Sequence, residues 1–128
     1  MDNAYDFPGI CRDHIARRKE AILKNVSFIR PEDICLYEDL FPAVKLATRV
    51  SRDPVRILRS YCTGHAVGSL TGLLEPDHTA LFYPDLLENS AFPVGFGAKR
   101  LHCTKNCASC GICEEAYQKA LVRLPDNF

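Results

Sequence analysis

Apolar residues recur at helical spacing in several stretches of the chain, which are separated by proline and glycine. The first stretch covers residues 12–24 and follows residues 1–11, where Asp, Asn, Pro and Gly are frequent. We therefore predict an irregular N-terminal arm over residues 1–11 and a helix over residues 12–24. The residues available for one apolar face of this helix are Ile15, Ala16, Ile22 and Leu23.

Two short apolar stretches flank the next predicted helix. Residues 26–29 (VSFI) and 43–47 (AVKLA) have the length and composition of strands. Pro31 suits the first turn of a helix because its φ is fixed, and Pro42 ends that helix. The thirteen residues between the stretches are enough for a crossover between parallel strands. The pattern predicts one βαβ unit, and its exposed sheet edges need covering helices or a second chain.

Three further helices follow from local signals. Asp53 and Pro54 form an N-cap and first-turn pair for a helix reaching about Cys62. A short helix is expected over residues 83–92, between two prolines, and a last helix over residues 111–124. The apolar residues on one side of the helix from Asp53 are Val55, Leu58 and Cys62. Those at helical spacing in the last helix are Ile112, Ala116, Ala120, Leu121 and Leu124.

These elements predict a mainly helical α/β protein with one small βαβ unit and a C-terminal cysteine-cluster loop followed by a helix. At 128 residues the chain fits a single small domain. Within it we expect the arm at residues 1–11, a helical and βαβ body at residues 12–92, and a metal-binding lobe at residues 93–128.

The chain has no net charge that would attract a highly charged partner. Sixteen Lys and Arg residues balance sixteen Asp and Glu residues, so we predict neither nucleic acid nor an anionic membrane as a partner. No apolar run approaches the roughly 20 residues of a membrane helix, and the N-terminus lacks the pattern of a secretory signal. We predict a cytoplasmic protein with reduced thiols, whose seven cysteines need a role other than disulfides.

Four of those cysteines are crowded into eleven residues near the C-terminus: Cys103, Cys107, Cys110 and Cys113, with spacers of three, two and two residues. One looping segment with such spacers can wrap a [4Fe-4S] cluster, which four thiolates hold and main-chain N–H groups stabilise. A helix starting near Gly111 would direct its positive end at the anionic centre. Four thiolates also suit tetrahedral zinc, although structural zinc sites usually join two separated ligand pairs. The pattern favours a [4Fe-4S] cluster, with zinc as the alternative.

Other cysteine and histidine residues remain open as further ligands. Cys11 lies in the arm, and Cys62 with His65 forms a Cys-x₂-His pair that is also typical of a helix end beside a surface histidine. His102 adjoins the cluster, either as a hydrogen-bonding neighbour or as a surface residue. Cys35 is expected in the core, since it lies in the middle of a predicted helix.

Several segments form a pattern that covers most of the chain. They are residues 20–24 (EAILK), 28–33 (FIRPED), Tyr37, 44–49 (VKLATR), the helix from Asp53 and the cysteine cluster with Ala116 and Ala120 behind it. Together they resemble the C-terminal portion of the collagenase-like peptidases of the U-thirty-two family. The resemblance implies iron–sulfur proteins on a (β/α) barrel that help to hydroxylate RNA bases or quinone precursors without oxygen. It also implies that this chain keeps only the last two barrel strands.

The functional prediction combines the cysteines with this resemblance. We expect a small iron–sulfur protein that works as a subunit or accessory domain in anaerobic redox, electron-transfer or hydroxylation chemistry, together with a protein partner or as a homo-oligomer. The alternatives are a zinc-stapled interaction module and a barrel-completing subunit of a hydroxylase. In a barrel, Arg30 and Arg49 would follow the two strands and face an anionic substrate, unless they are simply solvated.

Overall fold

The computed structural model describes residues 8–126, with side chains from residue 13 onward. Helices account for most of the regular structure, so the predicted mainly helical α/β class is confirmed. No helix in this part of the chain has the length and apolar character needed to cross a bilayer. The α-helices are α1 (Pro8–Arg17), α2 (Ile22–Asn25), α3 (Pro54–Thr63), α4 (Thr79–Phe82), α5 (Phe96–Leu101) and α6 (Ile112–Ala120), and the strands are β1 (Asp85–Leu87) and β2 (Leu121–Arg123). Short 3-10 segments cover Lys19–Ala21, Pro31–Tyr37, Leu70–Leu73 and Asn89–Ala91.

The helix predicted over residues 12–24 is split into two. α1 begins at Pro8, inside the predicted irregular arm, and residues 1–7 of that arm lie outside the described residues. Arg18 leaves the helical region with φ −136° and ψ 70°, and a 3-10 turn then leads into α2. The break redirects the chain so that Ile22 and Leu23 of α2 are fully buried.

The predicted βαβ unit is wrong. Residues 26–29 and 43–47 are extended or irregular and form no strand, and the segment between them starts as the 3-10 helix Pro31–Tyr37. The sheet consists instead of β1 and β2, which pair antiparallel with Leu86 opposite Val122.

Side chains explain why residues 26–29 do not become a strand. The Arg100 guanidinium donates to the Val26 carbonyl at 3.4 Å, and the Tyr61 hydroxyl donates to the Ile29 carbonyl. Both carbonyls therefore have a hydrogen-bond donor without a neighbouring strand. The apolar composition of this segment serves packing rather than sheet formation.

α3 forms where it is predicted, but with the opposite face buried. The Asp53 carboxylate accepts a hydrogen bond from the Arg56 main-chain N–H at 2.9 Å and caps the helix. Val55 and Leu58, on the predicted apolar side, are 60% and 56% exposed, whereas Ile57 is 2% exposed and lies in the core. α3 thus presents an apolar face to solvent.

The helices predicted over residues 83–92 and 111–124 differ from the structure where the chain forms the two strands. Residues 83–92 contain β1 and a 3-10 turn instead of a helix, because β1 pairs with β2. α6 ends at Ala120, earlier than predicted, since Leu121 has the extended values φ −68° and ψ 122° and starts β2.

One hydrophobic core joins the N-terminal and C-terminal parts of the described chain. Leu23 of α2 belongs to the same buried cluster as Phe96 of α5 and as Ala116 and Ala120 of α6. Residues of the predicted metal-binding lobe therefore anchor in the main core, and only the cysteine loop projects from it.

Candidate metal centre

The cysteine cluster lies on the loop that connects α5 to α6. Residues 102–111 carry no helix or strand, and each of them is exposed. The loop is shaped by tight turns: the Cys110 N–H donates to the Cys107 carbonyl at 3.4 Å, and Lys105 has a left-handed φ of 63°. Cys113 lies beyond the loop in the first turn of α6 and is half-buried.

All four predicted ligands line one cavity. Its volume is about 220 Å³, and Cys103, Cys107, Cys110 and Cys113 all contribute to its wall. Cys35 and Cys62 do not line it. The fold therefore brings the clustered cysteines to one concave site and leaves these two others elsewhere.

The wall of this cavity carries positive charge. Lys24, Lys99, Arg100 and Lys105 line it together with the cysteines, and no acidic side chain of residues 13–126 does so. Lys24 comes from α2, so the site combines a segment from near the start of the chain with one near its end. A cationic wall attracts anions and therefore suits an anionic metal centre.

Two of the sulfur atoms have hydrogen-bond donors close by. The Lys105 main-chain N–H lies 3.4 Å from the Cys103 Sγ, and the Arg100 Nη1 lies 3.6 Å from the Cys113 Sγ. The Cys113 thiol itself donates to the Leu23 carbonyl at 3.6 Å. Donors to sulfur stabilise an electron-rich thiolate, as in iron–sulfur sites.

The thiols do not form a closed coordination shell. Within the described side chains, no three His, Cys, Asp or Glu residues are arranged to hold a metal ion, and the cysteines from Cys35 to Cys113 are free thiols. Cys103, Cys107 and Cys110 are exposed on the loop, whereas Cys113 is fixed on α6. The donor set fits a thiolate-bound centre chemically, and the loop must close on Cys113 to complete it.

The other candidate ligands lie in different surroundings. Cys35 is exposed rather than in the core, so that prediction is wrong, because its 3-10 segment turns the thiol outward to the Glu32 carbonyl. Cys62 is exposed on α3, and His65 faces Glu32, with 3.5 Å between the His65 Nδ1 and the carboxylate. His102 lines the cysteine cavity. The side chain of Cys11 lies outside the described residues.

The two arginines predicted to face a substrate have different environments. Arg30 is 8% exposed, and its guanidinium donates to the side chain and to the carbonyl of Asn89, both at 2.9 Å. It also stacks on the Phe92 ring, 4.6 Å from the centroid. Arg49 is exposed in a turn. Arg30 is therefore engaged in internal packing, and the structure does not bring it to the cysteine cavity.

Sequence reasoning missed the basic residues around the cysteines. Lys99 and Arg100 precede Cys103 in the short segment Lys99-Arg100-Leu101-His102-Cys103, so their proximity was readable from the chain. Lys24 gave no such signal, because only the packing of α2 against α6 places it at the cavity.

A comparison of the sequence with curated proteins gives one distant relative. The chain is 30% identical, over 131 aligned residues that cover 93% of it, to a protein of Methanocaldococcus jannaschii described as an uncharacterized protease. The chain spans 38% of the length of that relative. No protein-family profile matches the chain, and no solved structure matches it either.

Proposed function

We propose that this chain binds one [4Fe-4S] cluster through Cys103, Cys107, Cys110 and Cys113. The observation that carries the proposal is the single cavity that all four cysteines line, with four basic side chains in its wall. Such a wall lowers the cost of gathering four thiolates, which otherwise repel each other.

The spacing of the cysteines favours a cluster over zinc, the alternative metal. A zinc ion bonded to four sulfurs at about 2.3 Å draws them together and leaves no space between them. A cubane of iron and sulfide places eight atoms among the thiolates. One looping segment with spacers of three, two and two residues can wrap it, whereas structural zinc sites usually join two separated ligand pairs. When bound, the cluster would supply one-electron redox chemistry.

The proposed role is that of an accessory subunit in anaerobic redox or hydroxylation chemistry in a reducing cytoplasm. One observation supports a larger assembly: α3 exposes Val55 and Leu58 to solvent. The distant relative's description as an uncharacterized protease is consistent with the sequence resemblance to the C-terminal portion of the collagenase-like peptidases. Completing a barrel with a partner chain is the more specific form of the same role.

Purification without oxygen tests the cluster directly. We expect about four iron and four sulfide per chain, as a [4Fe-4S] cluster requires, a brown colour that bleaches on reduction, and an electron paramagnetic resonance signal of the reduced form. A colourless protein with one zinc per chain would instead support the zinc-stapled module.

Cys107→Ser tests the ligand assignment. We expect this variant to lose most of its iron, because the hydroxyl is a poor substitute for a thiolate at the centre of the loop. Cys62→Ser is the matched control, since Cys62 is also an exposed free cysteine but lies outside the cavity. Equal iron content in the two variants, measured under the same reconstitution conditions, would contradict the assignment.

A further inference from the structure

Arg100 occupies a special position beside the cysteine cavity. It lies in the last turn of α5, is half-buried, and lines both the cysteine cavity and a larger groove of about 470 Å³. Among the described residues it is the one shared by these two walls. Its side chain therefore lies between the candidate metal centre and this larger groove.

Three contacts hold the guanidinium of Arg100 in place. Nη2 donates to the Val26 carbonyl at 3.4 Å, and the guanidinium carbon lies 5.3 Å from the centroid of the Phe28 ring. Phe28 in turn stacks on Phe96, with 6.4 Å between the ring centroids. The remaining contact is from Nη1 to the Cys113 Sγ at 3.6 Å. A planar guanidinium fixed on one side presents its other donors in a fixed direction.

Arg100 contacts Cys113, the predicted ligand that the fold holds most firmly. Cys113 is half-buried at the start of α6, whereas the other three cysteines are exposed on the loop. Its Sγ–H points at the Leu23 carbonyl. A metal-bound thiolate gives up that proton and keeps the acceptor role toward Arg100.

The positive charge of Arg100 has no carboxylate partner among the side chains of residues 13–126. No Asp or Glu side chain among the described residues lies within ion-pair distance of its guanidinium. The side chains of Lys24, Lys99 and Lys105, which line the same cavity, make no hydrogen bond to a sulfur. Of the four basic side chains that line the cavity, Arg100 is thus the one that contacts the sulfur of a predicted ligand.

We infer that Arg100 is a positioning residue that orients Cys113 and raises the reduction potential of the centre. The inference rests on the cluster proposed above. A hydrogen bond from a cation to a ligating sulfur stabilises the reduced, more negative cluster more than the oxidised one, because the added electron increases charge on the sulfur. Removing the donor makes the cluster harder to reduce.

The test compares Arg100→Met with Lys99→Met by potentiometric titration followed by electron paramagnetic resonance. Both changes remove one positive charge from α5 beside the cavity, but only the first removes a contact to sulfur. At the wild-type midpoint we expect the ratio of reduced to oxidised cluster to fall about tenfold in Arg100→Met, equivalent to about 59 mV for one electron. In Lys99→Met we expect a fall of about twofold or less, because its charge is exposed and screened.

The possible outcomes separate this inference from the proposed function. Wild-type protein without iron overturns the proposed cluster before any variant is compared. Wild-type protein with a cluster but an unchanged ratio in Arg100→Met, or an equal change in Lys99→Met, overturns the role of Arg100 alone. Iron analysis of each variant checks that it carries a complete cluster before its ratio of reduced to oxidised cluster is compared with that of the wild type.

Arg100→Lys keeps the inference testable if the Met variant does not fold. A single ammonium group does not replace a fork that contacts both the Val26 carbonyl and the Cys113 Sγ. We expect an intermediate fall of about threefold in the same ratio, as part of the charge-assisted hydrogen bond is lost. A wild-type ratio in a folded Arg100→Lys protein also overturns the inference.

Discussion

Glu32 and Asp33 are neighbours on one 3-10 segment, yet folding shifts their pKa values in opposite directions. Burial by itself raises the pKa of Glu32, but the Asn89 amide, the Ala66 N–H and the charge of Arg30 together hold it below its usual value. For Asp33 burial outweighs the attraction of Arg30, and the pKa of this carboxyl lies above its usual value. Both carboxylates lie 3.6 Å from the Arg30 guanidinium. The hydrogen bonds from Asn89 and Ala66, which Glu32 accepts, account for the different sign.

These shifts predict opposite effects of pH on two isosteric variants. A lowered folded pKa gives Glu32 a stabilising contribution that is present above its unfolded pKa and lost as the pH falls through the folded pKa. A raised folded pKa gives Asp33 a contribution that is present at acid pH and lost as the pH rises through the folded pKa. At about pH 7 we therefore expect Glu32→Gln to be less stable than wild type and Asp33→Asn to be more stable, as both ordinary pKa values lie near 4.

Urea unfolding between about pH 7 and about pH 3, which spans both carboxyl titrations, measures the effect. Both differences from wild type in the free energy of unfolding should shrink toward acid pH. Variants that change stability in the same direction at neutral pH would contradict the opposite shifts.

At the scale of elements, local signals fix where helices start, while packing decides which face is buried. Asp53 caps α3 as predicted, but the buried side is that of Ile57, with the neighbouring Leu58 facing solvent. The same holds for the 3-10 helix Pro31–Tyr37, after which Leu40 and Phe41 are more than half exposed. Exposed apolar side chains on one helix face suit packing against a further protein surface.

Adjacent residues of α3 provide a matched pair for this interpretation. Ile57→Ala should cost about 3 kcal/mol because it removes buried methyl groups and leaves a cavity. Leu58→Ala should change the free energy of unfolding by less than about 0.5 kcal/mol, as surface substitutions do. Denaturant titration of the chain alone measures both. A large loss in Leu58→Ala would show that this face packs within the chain.

At the scale of the whole molecule, a continuous core carries an exposed cysteine loop. Ala116 and Ala120 are completely buried in α6, directly after the loop, and share their core with Leu23. Residues 102–111 contribute nothing to that core. The fold does not depend on the loop for its packing, so metal binding should order the loop without being needed for the core.

Hydrogen exchange with and without metal tests this separation. In metal-free protein we expect fast amide exchange over residues 103–110 and continued protection in the α6 amides around Ala116, because protection follows burial and packing. Binding of metal should slow exchange mainly in the loop. Equal loss of protection in α6 on metal removal would mean that the centre also supports the core.

The sequence by itself determined the features that depend on neighbours within one or two turns. The Asp53–Pro54 helix start, the buried Ala116 and Ala120 of α6 and the spacing of the cysteines were all readable, because capping, periodicity and ligand spacing act over a few residues. The mainly helical class followed from the same local signals.

Only the tertiary structure decided the pairing and the surroundings of these elements. β1 and β2 are three residues each and pair although residues 88–120 separate them in the chain, so no local pattern marked them. Residues 26–29 are extended but form no strand, and the side chains of Tyr61 and Arg100 donate hydrogen bonds to two of their carbonyls. Lys24 reaches the cysteine cavity through the packing of α2 against α6. Contacts between distant parts of a chain depend on how all its apolar faces are buried together, which no short stretch of sequence specifies.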